Sequence, residues 1–235
     1  MNLGLVPYGE ALELQRSVAG AVSQDAIPET VIFLEHPPVV TLGRRTETDR
    51  ELHVPEDAAV EIAETDRGGK STFHGPGQLV SYPILDLHHH GKDVKLYVRN
   101  LEEALIRTLA AFELEGVRIE GLTGVWMPPS RREGPRKIAS IGVHVSRWVT
   151  THGYALNVDL DPAPFTEWIT ACGLEDAAFT TMARELERAI TVGEVRPAAI
   201  AAIGEVFDLA LEEVPADEDG AGLWPQRVHA SLAAR

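Results

Sequence analysis

The chain has 235 residues, 44% of them hydrophobic, and a formal net charge of -15. Such a composition predicts one water-soluble domain over 1–235, its last ~20 residues a loosely packed tail, and the negative charge argues against nucleic acid or an anionic membrane as partner. The opening MNLGLVPYGEALELQ lacks the basic start and apolar run of a signal peptide, and no later run approaches the ~18 apolar residues of a spanning helix, so a cytoplasmic location is expected.

Taken in chain order, Ala11, Leu14, Val18 and Ala21 recur at helical spacing and predict a helix between Glu10 and Val22. Four short segments rich in β-branched residues follow: TVIFLE (Thr30 to Glu35), VVTLG (Val39 to Gly43), VEIAET from Val60 and LVSYPI from Leu79. Punctuated by Pro and Gly, they read as strands. Val94, Tyr97, Leu101, Ala104, Leu105, Leu109 and Phe112 keep a helical period that predicts a second helix from Val94 to Phe112, with Gly116 as its stop.

Further strands are expected at Val117 to Glu120, Gly124 to Met127, Ile138 to Val149 and Tyr154 to Val158, with the polar loop PPSRREGPR before Lys137. Thr181 is placed to cap a turn in MARELER, and Pro197 to open a helix burying Ile200, Ile203, Phe207 and Ala210. ADEDG at Ala216 to Gly220 reads as a solvated linker. Helices flank the strands instead of alternating with them, which predicts the α+β class.

The densest chemical signal is RGGKSTFHGPGQ, Arg67 to Gln78. Gly68, Gly69, Gly75 and Gly77 exceed what a hairpin turn needs and allow backbone to approach a ligand, so a binding loop is favoured over a plain turn. It does not match the GxxxxGK[ST] phosphate loop. In RKIASIG, Arg136 to Gly142, Lys137 opens a strand, a position where lysine is ordinarily solvated. THGYALN, Thr151 to Asn157, reads as a polar turn between two strands.

Cys172, the single cysteine, excludes an internal disulfide and a cysteine cluster for zinc; in ITACGLED it is either core filler or a nucleophile. His88, His89 and His90 cannot all face one ion from an extended strand, so no metal is expected. Trp126, Trp148, Trp168 and Trp224 read as core.

In this order and at these separations, RGGKSTFHGPGQ, KIASIG, HGYALN and ACG, extended by HPPVVTLGRR and LVSYPILDL, resemble the lipoyl(octanoyl) transferase family from about Tyr8 to Phe207. The resemblance implies a fold like that of biotin and lipoate protein ligases, a central mixed β-sheet flanked by helices with the acyl pocket on one side. It implies an acyltransferase that moves an octanoyl or lipoyl group from acyl carrier protein to a lysine of lipoyl domains, in 2-oxoacid dehydrogenases and glycine cleavage H protein. The donor brings its own phosphopantetheine thioester, so no cofactor and no ATP are expected.

The catalytic residues implied are Cys172 as acyl acceptor, Lys137 as the partner that lowers its pKa and moves protons, and His74. The implied pocket comprises Arg67, Gly68, Gly69, Lys70, Ser71, Thr72, Phe73, His74, Ser140, Ile141, Gly142, Gly153, Tyr154 and Ala155. The chain departs from the family pattern at Ala171, where proline usually precedes the cysteine, and at Lys70 and Ser71, which replace an acidic and β-branched pair. PPSRREGPR is also longer than the pattern. Arg131, Arg132, Arg136, Lys137 and Arg147 against Glu133 form either a docking patch for acidic partners or a solvated loop. Two rivals stand beside this reading: an ATP-dependent lipoate protein ligase, which has no need of Cys172, and a non-catalytic acyl-binding or carrier-binding module on the same fold.

Overall fold

In the computed structural model, which describes residues 1–48, 52–130, 133–169 and 178–212, a large mixed sheet carries helices on both faces. The first half of the described chain comprises β1 (Asn2–Leu5), α1 (Tyr8–Val22), β2 (Thr30–Glu35), β3 (Val39–Leu42), β4 (Glu61–Glu64), β5 (Thr72–His74), β6 (Gln78–Ile84) and α2 (Val94–Ala110). The second half comprises β7 (Val117–Ile119), β8 (Leu122–Met127), β9 (Arg136–Ser146), β10 (Val149–Asn157), α3 (Pro164–Glu167), β11 (Ala178–Phe179), α4 (Met182–Leu186) and α5 (Val192–Phe207).

The large sheet has the order β1-β2-β6-β10-β9-β8-β7, with β11 added to β9, and β4-β3-β5 form a smaller sheet. In the large sheet β1 on β2 and β11 on β9 are parallel, and the other pairs are antiparallel. The alternation of strand side chains sorts the core. Val31 and Phe33 pack with Leu101 and Leu105 of α2 and Ile203 of α5, whereas Ile32 and Leu34 pack with Ala11, Val18 and Val22 of α1. β6 is buried along its whole length because it lies between β2 and β10 at the centre. Among the described residues, no helix is long and apolar enough to cross a membrane.

The helix ends follow local chemistry. Asp93 caps α2 by accepting from the amides of Lys95 and Leu96 at 2.7 and 3.2 Å. Thr181 caps α4 as expected, accepting from the Arg184 amide at 3.2 Å. α5 starts at Val192, five residues before Pro197, because Thr191 and Glu194 close a reciprocal capping box. Pro197 therefore lies inside α5 and does not open it. Gly116 does not stop α2, which ends at Ala110; it lies where a Cβ would strike Leu109 and Val125.

The largest local difference concerns THGYALN. It is not a turn but part of β10, with Gly153 paired to Gly142. The reversal between β9 and β10 occurs at Arg147 and Trp148, whose φ values of 49° and 70° give the doubly left-handed turn that matches hairpin twist. ADEDG, Ala171, Cys172 and Trp224 lie outside the described residues.

Candidate active site

A cavity of about 420 Å³ is walled by residues of β6, β8, β9 and β10 together with the Arg67–Thr72 segment, a size suited to a small ligand. The predicted pocket residues in the glycine-rich segment, on β9 and on β10 all line it except Phe73. Because side chains alternate along β5, Thr72 and His74 face the cavity while the Phe73 ring turns away. It meets Phe165 and Trp168 edge-on, at centroid distances of 5.8 and 5.7 Å.

Arg67 shapes the glycine-rich wall from within. It is 7% exposed, and its guanidinium donates to the carbonyls of Lys70 at 2.7 Å, Gly68 at 3.1 Å and Thr41 at 2.8 Å. Bonds to the Thr41 hydroxyl at 2.8 and 3.2 Å tie the same group to β3. Gly142 leaves it room, since a Cβ there would approach Arg67 Cδ at 3.0 Å and the Gly68 carbonyl at 3.2 Å.

Lys137 is not a solvated strand end. It lies one residue into β9 and is 4% exposed, because its strand is flanked there by β8 (Trp126 opposite Lys137) and by β11 (Phe179 opposite Lys137). The Thr180 amide donates to its carbonyl at 3.0 Å. Its ammonium lies 5.4 Å from the ring centroid of Trp126, within cation–π range. Trp126 is buried as expected of core, yet it lines the cavity. Its role was not legible, since nothing local marks a tryptophan as wall instead of core.

Sequence reasoning also missed a buried group of aromatic and imidazole rings. Tyr8 of α1 stacks over His74 at 6.3 Å, and His36 meets both edge-on at 5.3 and 5.7 Å. His36 donates from Nδ1 to the Val6 carbonyl and accepts the Tyr82 hydroxyl at Nε2, both at 2.7 Å. His74 Nδ1 donates to Gln78 Oε1 at 2.7 Å, the amide nitrogen of Gln78 being spent on Asn157 Oδ1 at 3.0 Å. His152 lies beside them. Its ring donates to Asp66 at 2.7 Å and its amide to Gln15 Oε1 at 2.6 Å, holding a left-handed φ of 58° inside a strand. Burial lowers the pKa of His152, and although burial alone would raise that of Asp66, the His152 bond brings it below the usual carboxylate range.

Burial pushes His36 down to about 4 and His74 to about 3, so both imidazoles are neutral near pH 7. An unfolded histidine takes its proton near 6.5, hence between that value and about 4 the unfolded chain binds more protons and stability is lost as the pH is lowered. At pH 5 each such histidine withdraws about 2 kcal/mol. Replacing His36 by Gln is expected to flatten the fall in melting temperature between pH 7 and 5 by about 4–8 °C. An unchanged slope in differential scanning calorimetry would refute this.

Among the described residues, the basic side chains predicted around the β8–β9 loop do not form one exposed patch. Arg136 is 6% exposed and engages Glu185, Lys137 is buried, and Arg147 lies in the turn at the far end of β9. Arg131 and Arg132 lie outside the described residues.

The model of the lipoyl protein ligase A/B catalytic domain family matches residues 7–204. An octanoyltransferase of Chloroflexus aurantiacus is 47% identical over 211 residues, covering 88% of this chain and 92% of that protein. One from Mycobacterium tuberculosis is 49% identical over 208 residues, covering 88% and 86%. Among solved structures, a bi-partite lipoate protein ligase described with its E2 lipoyl domain from Thermoplasma acidophilum superposes with a TM-score of 0.69 at 17% identity, covering 100% of this chain and 91% of that one. At that identity the likeness speaks for the fold. The chain therefore belongs to the lipoyl protein ligase A/B catalytic domain family, within its octanoyltransferase branch.

Proposed function

We propose that this enzyme transfers an octanoyl group from acyl carrier protein to a lysine of lipoyl domains, through a thioester on Cys172 with Lys137 as its proton partner. The observation that carries this reading is the burial of Lys137 in the cavity wall beside β11, the strand that follows the Cys172 segment. On the other side of that segment, Ile169 bridges to Leu52, so both flanks are tied to the fold.

In the first half-reaction the Cys172 thiolate attacks the donor thioester carbonyl. The carrier thiolate leaves and takes a proton from the Lys137 ammonium. In the second, the acceptor amine attacks the acyl-cysteine, gives its proton to the now neutral Lys137, and expels the Cys172 thiolate. Each group returns to its starting state. A nearby ammonium favours the thiolate, whose ordinary pKa is ~8.5. The donor is already activated, so no nucleotide is required. His74, neutral and held at Nδ1 by Gln78, forms a fixed wall of the pocket.

The test is intact-mass spectrometry after mixing with octanoyl-carrier protein, without ATP. One octanoyl group on the wild type, absent in Cys172→Ser and discharged by a lipoyl domain, is expected. Full transfer by Cys172→Ser, or a requirement for ATP, overturns the reading.

A further inference from the structure

We infer that Glu185 is a positioning residue: with Arg136, Thr180 and Asn157 it forms a brace that fixes the backbone of Lys137 against the His74 side of the cavity. The role rests on the function proposed above, and it deepens that function by naming what holds the lysine in place.

The brace is a continuous set of buried or half-buried bonds. Arg136 Nε and Nη2 donate to the two carboxylate oxygens of Glu185, each at 2.9 Å, the bidentate geometry that fixes orientation as well as distance. Its remaining nitrogen donates to the carbonyls of Gly134 at 3.1 Å and Pro128 at 3.4 Å, drawing together the two ends of the β8–β9 loop. The Thr180 hydroxyl donates to Glu185 at 2.6 Å, while the Thr180 amide donates to the Lys137 carbonyl at 3.0 Å. The Thr180 carbonyl accepts from Asn157 Nδ2 at 3.1 Å, and Asn157 continues through Gln78 to His74.

Glu185 thus gathers three pieces of chain around Lys137: the residue before it, the residue after β11, and helix α4. Burial would raise the Glu185 pKa, but Arg136 and Thr180 outweigh it and keep the carboxylate charged. Glu185, Arg136, Thr180 and Asn157 do not line the cavity, so the brace acts through Lys137 and not on the substrate.

The experiment compares Glu185→Gln and Glu185→Asp with the wild type at a temperature where all are folded. Four quantities are read: kcat and KM for octanoyl-carrier protein, the pH profile of iodoacetamide alkylation, and hydrogen exchange at the Thr180 amide. Cys172 is the only cysteine, so alkylation reports on it alone. Glu185→Gln is expected to lower kcat about tenfold with KM within about twofold, and to raise the thiol pKa by about one unit. It is also expected to speed Thr180 exchange at least about tenfold, with Glu185→Asp restoring part of each.

If Glu185→Gln is too unstable, Thr180→Val removes one hydroxyl at constant volume and gives the same changes at about threefold size. A wild-type alkylation profile, or unchanged Thr180 exchange, overturns the brace. So does a lowered melting temperature with kcat and the profile unmoved, since that is the result of a merely structural contact. A wild type that forms no Cys172 adduct overturns the proposed function instead, while faster Thr180 exchange in Glu185→Gln still supports the brace.

Discussion

Replacement of Lys137 by methionine is expected to leave a folded protein whose acyl transfer falls by about 10³-fold or more. Methionine approximates the apolar stem of lysine, so the volume beside Trp126 stays filled and the fold should survive the exchange. The loss falls on chemistry in two parts. Without the ammonium, a thiol with an ordinary pKa of ~8.5 leaves only a few per cent thiolate at pH 7, and both half-reactions lose their proton partner. The two parts separate by pH: raising it to about 9 should recover acylation of Cys172 but not discharge to the acceptor lysine. Single-turnover mass spectrometry reads both steps. A Lys137→Met enzyme within tenfold of wild type at pH 7 would remove Lys137 from the mechanism.

The second large effect is expected at Gly124, which faces the stem of Lys137. Its φ of +116° is open only to glycine, and its amide donates to the buried carboxylate of Glu102 at 3.2 Å. A Cβ would lie 2.5 Å from the Ala139 carbonyl and 2.9 Å from Lys137 Cε. The first of those atoms is backbone in the β8–β9 pairing and cannot swing aside. Strain at such a dihedral and overpacking each cost about 1–3 kcal/mol, so Gly124→Ala should lose about 3 kcal/mol or more. Urea unfolding measures this directly, and a loss below about 1 kcal/mol would mean that the strands yield more easily than their packing implies.

What the sequence made legible depended on how local the signal was. The strands TVIFLE and VVTLG and the Thr181 cap were readable because alternation, β-branching and a capping oxygen all act within a few residues. The β9–β10 turn was not, since Arg147 and Trp148 carry none of the Gly, Asn or Asp residues that usually mark a left-handed pair. A glycine in THGYALN attracted the turn instead. The start of α5 was present in the sequence as Thr191 and Glu194, and the more conspicuous Pro197 obscured it.

The pocket followed a similar division. Motif residues from Arg67 to Thr72, on β9 and on β10 do converge on one cavity. Tyr8, His36, His74 and Tyr82 were unreadable as a group because they come from four elements or loops and meet only after the sheet forms. The burial of Lys137, at a position where lysine is ordinarily solvated, was unreadable for the same reason. Its burial is supplied by β11, far along the chain, and no window around RKIASIG contains it.

That two-residue strand also bears on how the enzyme comes into being. The β9–β10 hairpin can form from neighbouring sequence, but the place beside Lys137 is filled only when the C-terminal third docks. Contacts between distant segments form slowly, because chain entropy must be lost before they reward it. A nascent chain ending after β10 would therefore own most of the cavity and none of its closure along this edge. In the finished protein so short a ladder is held by side chains instead, Phe179 stacking on Phe165 at 4.4 Å and Thr180 bonded to Glu185 at 2.6 Å, so the seam is only as secure as the docking of that C-terminal segment.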